Sequence, residues 1–272
     1  MATETVCAKC GGTGWIIVEH ANVSGAEACT CRNEGRASRL EGRAQIPPLY
    51  RNASFENFIV PGPENPMARR ELTNVLLAVT NFVREFPNGK RPGLLLVGDP
   101  GTGKTHLAVA ALRKIMEKGF ECLFWNYKDL LDRIRAGFDP TSASSNRDAY
   151  RAALDAEVLL LDDLGAHRVL EWVEDTMTSI ITYRCDNRKP LIATTNLRET
   201  EARSTLGIPS SRGDGGAQPE GKSDQKSPSG KDYSRTLAES IGSRARSRLF
   251  EMCTVVQMPL VTDYRVSPRR TP

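Results

Sequence analysis

The sequence predicts an α/β domain, a parallel sheet with helices on both faces, preceded by a small cysteine-bearing module. Three observations lead there. Short, wholly apolar runs alternate with segments whose apolar residues recur every three or four positions, the pattern of buried parallel strands joined by helices. A glycine-rich stretch lies between one such run and the helical segment after it. Four of the seven cysteines fall within the first 31 residues, ahead of the alternating region.

Length and composition bound the answer. At 272 residues the chain can build one domain with a real core plus an appendage, and is short for two full domains. Hydrophobic residues at 39% and charged residues at 26% exclude a collagenous or wholly disordered chain. Lys and Arg (37) nearly balance Asp and Glu (33), so the net charge of +4 permits contact with a nucleic-acid backbone without demanding it. No apolar run approaches the roughly 20 residues needed to cross a bilayer. The N-terminus carries cysteines and charges where a signal peptide would be apolar, so a cytoplasmic protein with no membrane contact is expected. In that reducing compartment clustered cysteines point to metal rather than disulfides, while the scattered Cys122, Cys185 and Cys253 read as small core residues.

The elements follow in order. Residues 1–35 are rich in Cys and Gly with one strand-like run, Trp15-Ile16-Ile17-Val18, and are read as the metal-binding module. From Asn33 to Arg43 the residues are mostly small and charged, and Ile46-Pro47-Pro48-Leu49-Tyr50 breaks any helix. Residues 36–65 are therefore expected as a linker into a main domain spanning 66–266, with 267–272 as a tail. A helix near 66–86 carries Leu72, Val75, Leu76, Val79 and Phe82 and ends before Pro87. Then come a strand at Gly93 to Val97, a helix at about 104–118, and a strand at Cys122 to Trp125. A helix at about 128–137 and a polar connection lead to the strand Val158 to Leu161. A helix at about 170–186 precedes the strand Leu191 to Thr195, and a last helix at about 235–250 precedes Thr254 to Gln257. Between Ser210 and Asp232 the only aliphatic side chain is Ala217, which predicts a disordered surface insertion over 210–232.

Chemistry concentrates at the carboxyl ends of these strands. Gly98-Asp99-Pro100-Gly101-Thr102-Gly103-Lys104-Thr105 fits the phosphate-loop pattern in full, between a buried strand and a helix, and predicts ATP. Glycines let backbone N–H groups approach phosphates, Lys104 reaches the β and γ oxygens, and the Thr105 hydroxyl suits magnesium. The third apolar strand ends in Asp162-Asp163, read as the magnesium carboxylate and the general base that polarises water. Asn196 ends the fourth strand, where an amide can orient water or the γ-phosphate, although alone it is more often a turn residue. Arg244 and Arg248 share a helix face, either as a solvated basic surface or as a source of an arginine for a neighbouring subunit's γ-phosphate.

Together these residues resemble the AAA+ ATPases of the DnaC/DnaI helicase-loader and IstB-like group. The resemblance covers roughly residues 46–266 and rests on the phosphate loop, Leu159-Leu160-Leu161-Asp162-Asp163-Leu164-Gly165, Thr194-Thr195-Asn196-Leu197 and Ser247-Arg248-Leu249-Phe250-Glu251-Met252. It implies a P-loop NTPase sheet, ATP hydrolysis with Asp163 as the catalytic acidic side chain, Asn196 as first sensor and Arg248 as a finger acting in trans. It also implies a homo-oligomer that binds single-stranded DNA and a replicative helicase. Two departures stand out. Many AAA+ proteins have Glu where this chain has Asp163, and the chain ends soon after Asp263-Tyr264-Arg265, leaving no room for a helical lid.

Cys7-x2-Cys10 and Cys29-x-Cys31 supply four thiolates, enough for tetrahedral zinc, and Gly11-Gly12-Thr13-Gly14 allows the tight turn of a zinc knuckle. The second pair has one intervening residue instead of two, and His20 is an alternative ligand. A closed four-ligand site has a structural role; in loaders of the DnaI type such a module engages the helicase. Against the loader stand two other readings: an IstB-type transposition helper acting on duplex DNA, with a similar core, and a small-molecule kinase using the same loop.

Overall fold

The computed structural model describes residues 7–11, 13–20, 23–136, 147–166, 170–197, 235–261 and 263. Its centre is a five-stranded sheet in the order β4-β5-β6-β3-β7, with every neighbouring pair parallel. The strands are β3 (Gly93–Val97), β4 (Cys122–Asn126), β5 (Val158–Asp162), β6 (Leu191–Thr195) and β7 (Cys253–Gln257). Side chains alternate across a strand, so Leu94, Leu96, Leu160 and Ile192 enter one core while Leu95, Val97, Leu159, Leu161 and Ala193 enter the other. That is why β3 and residues Val158 to Leu161 of β5 are apolar throughout: neither face reaches water there.

On the first face lie α1 (Thr30–Arg43), α2 (Pro66–Glu85) and α3 (Lys104–Glu117). On the second lie α4 (Tyr127–Ala136), α5 (Arg147–Asp155), α6 (Glu171–Asp186), α7 (Leu237–Ile241) and α8 (Ser243–Met252). Helix α2 starts where Asn65 accepts the Ala68 N–H at 3.1 Å with Pro66 in its first turn, a combination that satisfies one orphan donor and needs none from proline. The predicted strands and helices of the core fall on these elements within a few residues. After β7 the described residues are Met258 to Val261 and Asp263, with no helical lid among them.

Four local features depart from expectation. Trp15 is followed by a full hairpin, β1 (Trp15–His20) paired antiparallel with β2 (Val23–Ala28), although Ser24, Gly25 and Ala26 have little strand preference. Helix α1 occupies Thr30–Arg43, so residue 35 lies inside a helix and the start of the expected linker is structured. Its Arg, Glu, Ala and Leu residues are good helix formers, and it gains tertiary support by burying Leu40 and Ala44. The polar connection before β5 contains α5, whose buried residues are the small Ala149 and Ala153, too weak an apolar stripe to read alone. The last helix is broken into α7 and α8 at Gly242, which adopts φ 86°, and the carboxylate of Glu174 lies against it. Cys122 and Cys253 are buried as expected, whereas Cys185 is only partly so. The expected insertion at 210–232 lies outside the described residues. No described helix is long and apolar enough to cross a membrane.

Arg184, near the end of α6, is fully buried, and its guanidinium meets only backbone. It donates to the carbonyls of Ala153 (2.9 Å), Leu154 (3.3 Å), Ala156 (3.0 Å), Glu157 (3.3 Å) and Pro190 (2.6 Å). These are the last carbonyls of α5 and the turns entering β5 and β6, so one cation closes a helix end and aligns two strands. Burial pulls its pKa down to about 10, still charged at neutral pH. Arg184→Met, which keeps the bulk and removes every donor, should destabilise the fold by roughly 3 kcal/mol in urea denaturation at an unchanged slope. A loss under about 0.5 kcal/mol would refute this role for the guanidinium.

Candidate functional site

The carboxyl ends of β3, β5 and β6 are adjacent because β6 lies between the other two. The phosphate loop leaves β3, and two of its glycines are required by geometry. Gly101 (φ 76°) and Gly103 (φ 90°) are left-handed. A Cβ on Gly101 would run into the Asp263 carboxylate, and one on Gly103 would lie 2.6 Å from the Phe58 ring. The loop folds on itself around Asp99, whose carbonyl accepts from the Thr102 hydroxyl at 2.9 Å and from Lys104 Nζ at 2.8 Å. Gly98, Pro100 and the remaining motif residues complete the turn, with Lys104 buried where α3 begins.

The acidic pair sits directly across from this loop. Thr105 Oγ1 donates to Asp162 Oδ1 at 2.8 Å, and Thr194 Oγ1 donates to the same oxygen at 2.7 Å. Asp163 is left-handed at φ 59°; its N–H donates to Thr194 Oγ1 at 2.9 Å and its Oδ1 accepts from Asn196 Nδ2 at 2.8 Å. The turn is closed by Leu164 N–H on the Thr194 carbonyl (2.7 Å) and Thr195 Oγ1 on the Leu164 carbonyl (2.8 Å). Burial raises the Asp162 pKa above the usual carboxylate value, an effect opposed by the Thr194 and Thr105 hydroxyls and by Lys104, and reinforced by Asp163. A hydroxyl and a carboxylate oxygen held together are the hard donors magnesium takes, so Thr105 and Asp162 fit that ion.

Residues 53–58 form a part of the site that motif reading missed. The His106 ring nitrogen contacts the Ser54 carbonyl at 2.9 Å, Arg113 Nη1 donates to the Ala53 carbonyl at 3.0 Å, and Phe58 stacks at a tilt on His106 with centroids 5.6 Å apart. This strip therefore lies along α3 and roofs Gly103. Its one sequence signal was the aromatic pair Phe55 and Phe58, three residues apart.

Arg248 is not brought to this edge. It lies on α8 as that helix descends to the start of β7, at the sheet's opposite edge, with Nη1 2.8 Å from Glu251 Oε2 and its side chain 43% exposed. Arg244 and Arg248 both line an open groove of about 800 Å³ between α5, α6 and α8.

The four N-terminal sulfurs converge. Those of Cys7, Cys10, Cys29 and Cys31 all lie within 4.8 Å of one another, a set that can hold a metal ion. Gly11, at φ 58°, makes the turn, with its N–H on the Cys7 carbonyl at 2.9 Å, and the Gly14 N–H points at Cys10 Sγ at 3.3 Å. The short spacing of the second pair is explained by α1: Cys29 is its N-cap and Cys31 sits in its first turn, so the helix start turns both sulfurs inward. The Cys7 thiol is held below its usual pKa by the backbone N–H groups of Lys9 and Cys10, while Cys31 is pushed up by the crowded thiols of Cys10 and Cys29. The side chain of His20 lies outside those described.

Comparison with known proteins adds independent information. Residues 32–210 match the family described as IstB-like ATP binding protein. The phage-like element PBSX protein XkdC of Bacillus subtilis (strain 168) is 25% identical over 202 residues, covering 72% of this chain and 73% of that protein. The replicative helicase loader DnaC of Escherichia coli (strain K12) is 27% identical over 177 residues, 64% of this chain and 69% of DnaC. A crystal structure of the DnaC helicase loader matches with a TM-score of 0.57 at 28% identity, covering 78% of this chain and 100% of that one.

The raised pKa of Asp162 has a thermodynamic sign. The folded protein disfavours the carboxylate, so folding loses stability as pH rises through that pKa and keeps it below. In magnesium-free buffer Asp162→Asn, whose amide oxygen can still accept from both threonines, should raise the urea midpoint at pH 7. The gain should shrink as pH falls toward 4, and an unchanged or lower midpoint at pH 7 would contradict the assignment.

Proposed function

The chain belongs to the family of IstB-like ATP-binding proteins, and on that premise we propose that it is a magnesium-dependent ATPase acting as a helicase loader in DNA replication, one that binds single-stranded DNA and a replicative helicase. The observation that carries the ATPase half is the 2.8 Å bond from Thr105 to Asp162, which joins the phosphate loop to an acidic pair already engaged by Asn196. The loader half rests on the similarity to DnaC.

In this reading the N–H groups of Gly101 to Thr105 and the start of α3 cradle the phosphates. Lys104 exchanges the Asp99 carbonyl for β and γ oxygens. Thr105 and Asp162 hold magnesium, which when bound neutralises charge on the phosphate oxygens. Asp163 takes the proton of the attacking water while Asn196 aligns water and γ-phosphate; the new P–O bond forms as the bond to ADP breaks. Arg248 works on the site of a neighbouring subunit in a homo-oligomer, which its place at the far edge and its exposure favour. The four cysteines hold a structural zinc, and the module they close engages the helicase. The match to the IstB-like family is also compatible with a second reading, a transposition helper acting on duplex DNA.

Lys104→Ala should abolish ATP binding, measured by equilibrium titration. Arg248→Ala should bind normally and lose assembly-dependent hydrolysis by about 10³-fold or more; equal loss of binding in both variants would refute action in trans. The loader reading requires ATP-dependent co-purification with a hexameric replicative helicase. Binding of duplex DNA with no helicase captured would leave the transposition reading in its place.

A further inference from the structure

We propose that Thr194 is a positioning residue for hydrolysis, its single hydroxyl fixing the metal-facing carboxylate of Asp162 and the backbone of Asp163 relative to each other. The proposal deepens the ATPase reading and rests on it. Thr194 is fully buried near the end of β6, and its hydroxyl engages Asp162 and Asp163 away from solvent. A hydroxyl has one proton and two lone pairs. Here the proton goes to Asp162 Oδ1 at 2.7 Å, and a lone pair takes the Asp163 N–H at 2.9 Å.

The place is one where the sheet stops helping. The β5–β6 register ends at Leu161 paired with Ala193, and the next backbone bond across the gap runs from Leu164 N–H to the Thr194 carbonyl. Between those two points lie the two acidic residues, and Asp163 is in a left-handed conformation that L-residues adopt at a cost of about 1 kcal/mol or more. Thr194 spans that gap with a side chain. On Asp162 its donation meets that of Thr105 at the same oxygen, so the carboxylate is oriented from β6 and from the phosphate loop at once.

Thr195 provides the internal contrast. It is equally buried and braces the same turn, yet both groups its hydroxyl engages are backbone: it donates to the Leu164 carbonyl and accepts the Leu197 N–H at 3.1 Å. Removing its hydroxyl weakens the turn. Removing that of Thr194 also leaves the carboxylate short of a donor and the Asp163 N–H without its acceptor.

The test compares affinity for a fluorescent ATP analogue in EDTA and in a magnesium titration, alongside melting temperature. Thr194→Val should bind like wild type in EDTA and lose at least about tenfold of the affinity gained from magnesium, as expected for a hydrogen bond to a charged group. Thr194→Ser should restore the gain, and Thr195→Val should keep it while melting lower. If the valine variant does not fold, Thr194→Cys, with a weak donor of similar size, takes its place under the same expectation. A full magnesium gain without the hydroxyl, or a serine variant as defective as valine, would overturn the proposal while leaving the ATPase reading intact. Wild-type protein that binds no nucleotide, or binds it without regard to magnesium, would overturn that reading and this one with it.

Discussion

Removing a carboxylate from water costs several kcal/mol unless other groups replace the lost hydration. Asp162, 7% exposed at the end of β5, places that demand on its neighbours. Two threonine hydroxyls and the nearby Lys104 answer it. They come from two stretches of chain: Thr194 from β6, and Lys104 and Thr105 from the first turn of α3, which follows the loop after β3. The strand order puts β6 between β5 and β3, so all three meet at one edge. The sheet's double burial is what makes that order rigid, since its leucines alternate into two separate cores and a slip by one residue would exchange them.

The same logic of buried groups answered by backbone or side chain runs through the rest of the molecule. At the opposite edge Arg184 is the mirror case, a buried cation answered by five carbonyls. One end of the sheet therefore concentrates donors around an acid, and the other concentrates acceptors around a base. The acidic end offers chemistry because its groups can trade partners for phosphate and metal. The basic end has no such alternative, which suits a purely structural task.

Much of this could be read from the chain. Val97 to Thr105 and Leu159 to Asp163 announce themselves because a strand buried on both faces admits only apolar residues, so the polar residue that ends it marks the sheet's edge. The cysteine cluster was legible as a ligand set, though the one-residue spacing of Cys29 and Cys31 made sense only once a helix was seen to start between them. What escaped reading depended on partners distant in sequence. Helix α1 looks like a polar linker until its contact with α3 and β4 is known, α5 hides behind alanines, and Gly242 splits a helix whose periodicity continues across it. Thr194 was one of two threonines at a strand end; its role follows from facing β5, which no local pattern encodes.

Helix α1 carries a mechanical consequence. Its N-cap and first turn hold two of the clustered cysteines, and its middle and far end are seated on the core through Arg36 to the Gly119 carbonyl (2.8 Å), Glu41 to Arg113 Nε (3.0 Å) and the Ala44 carbonyl to Phe124 N–H (2.8 Å). Arg113 belongs to α3, the helix that begins at the phosphate loop. Fourteen residues at 1.5 Å each make an arm about 21 Å long, so a rotation of about 5° at its seat moves the cysteine cluster by about 2 Å. Helix α1 thus ties the position of the cysteine cluster to that of α3.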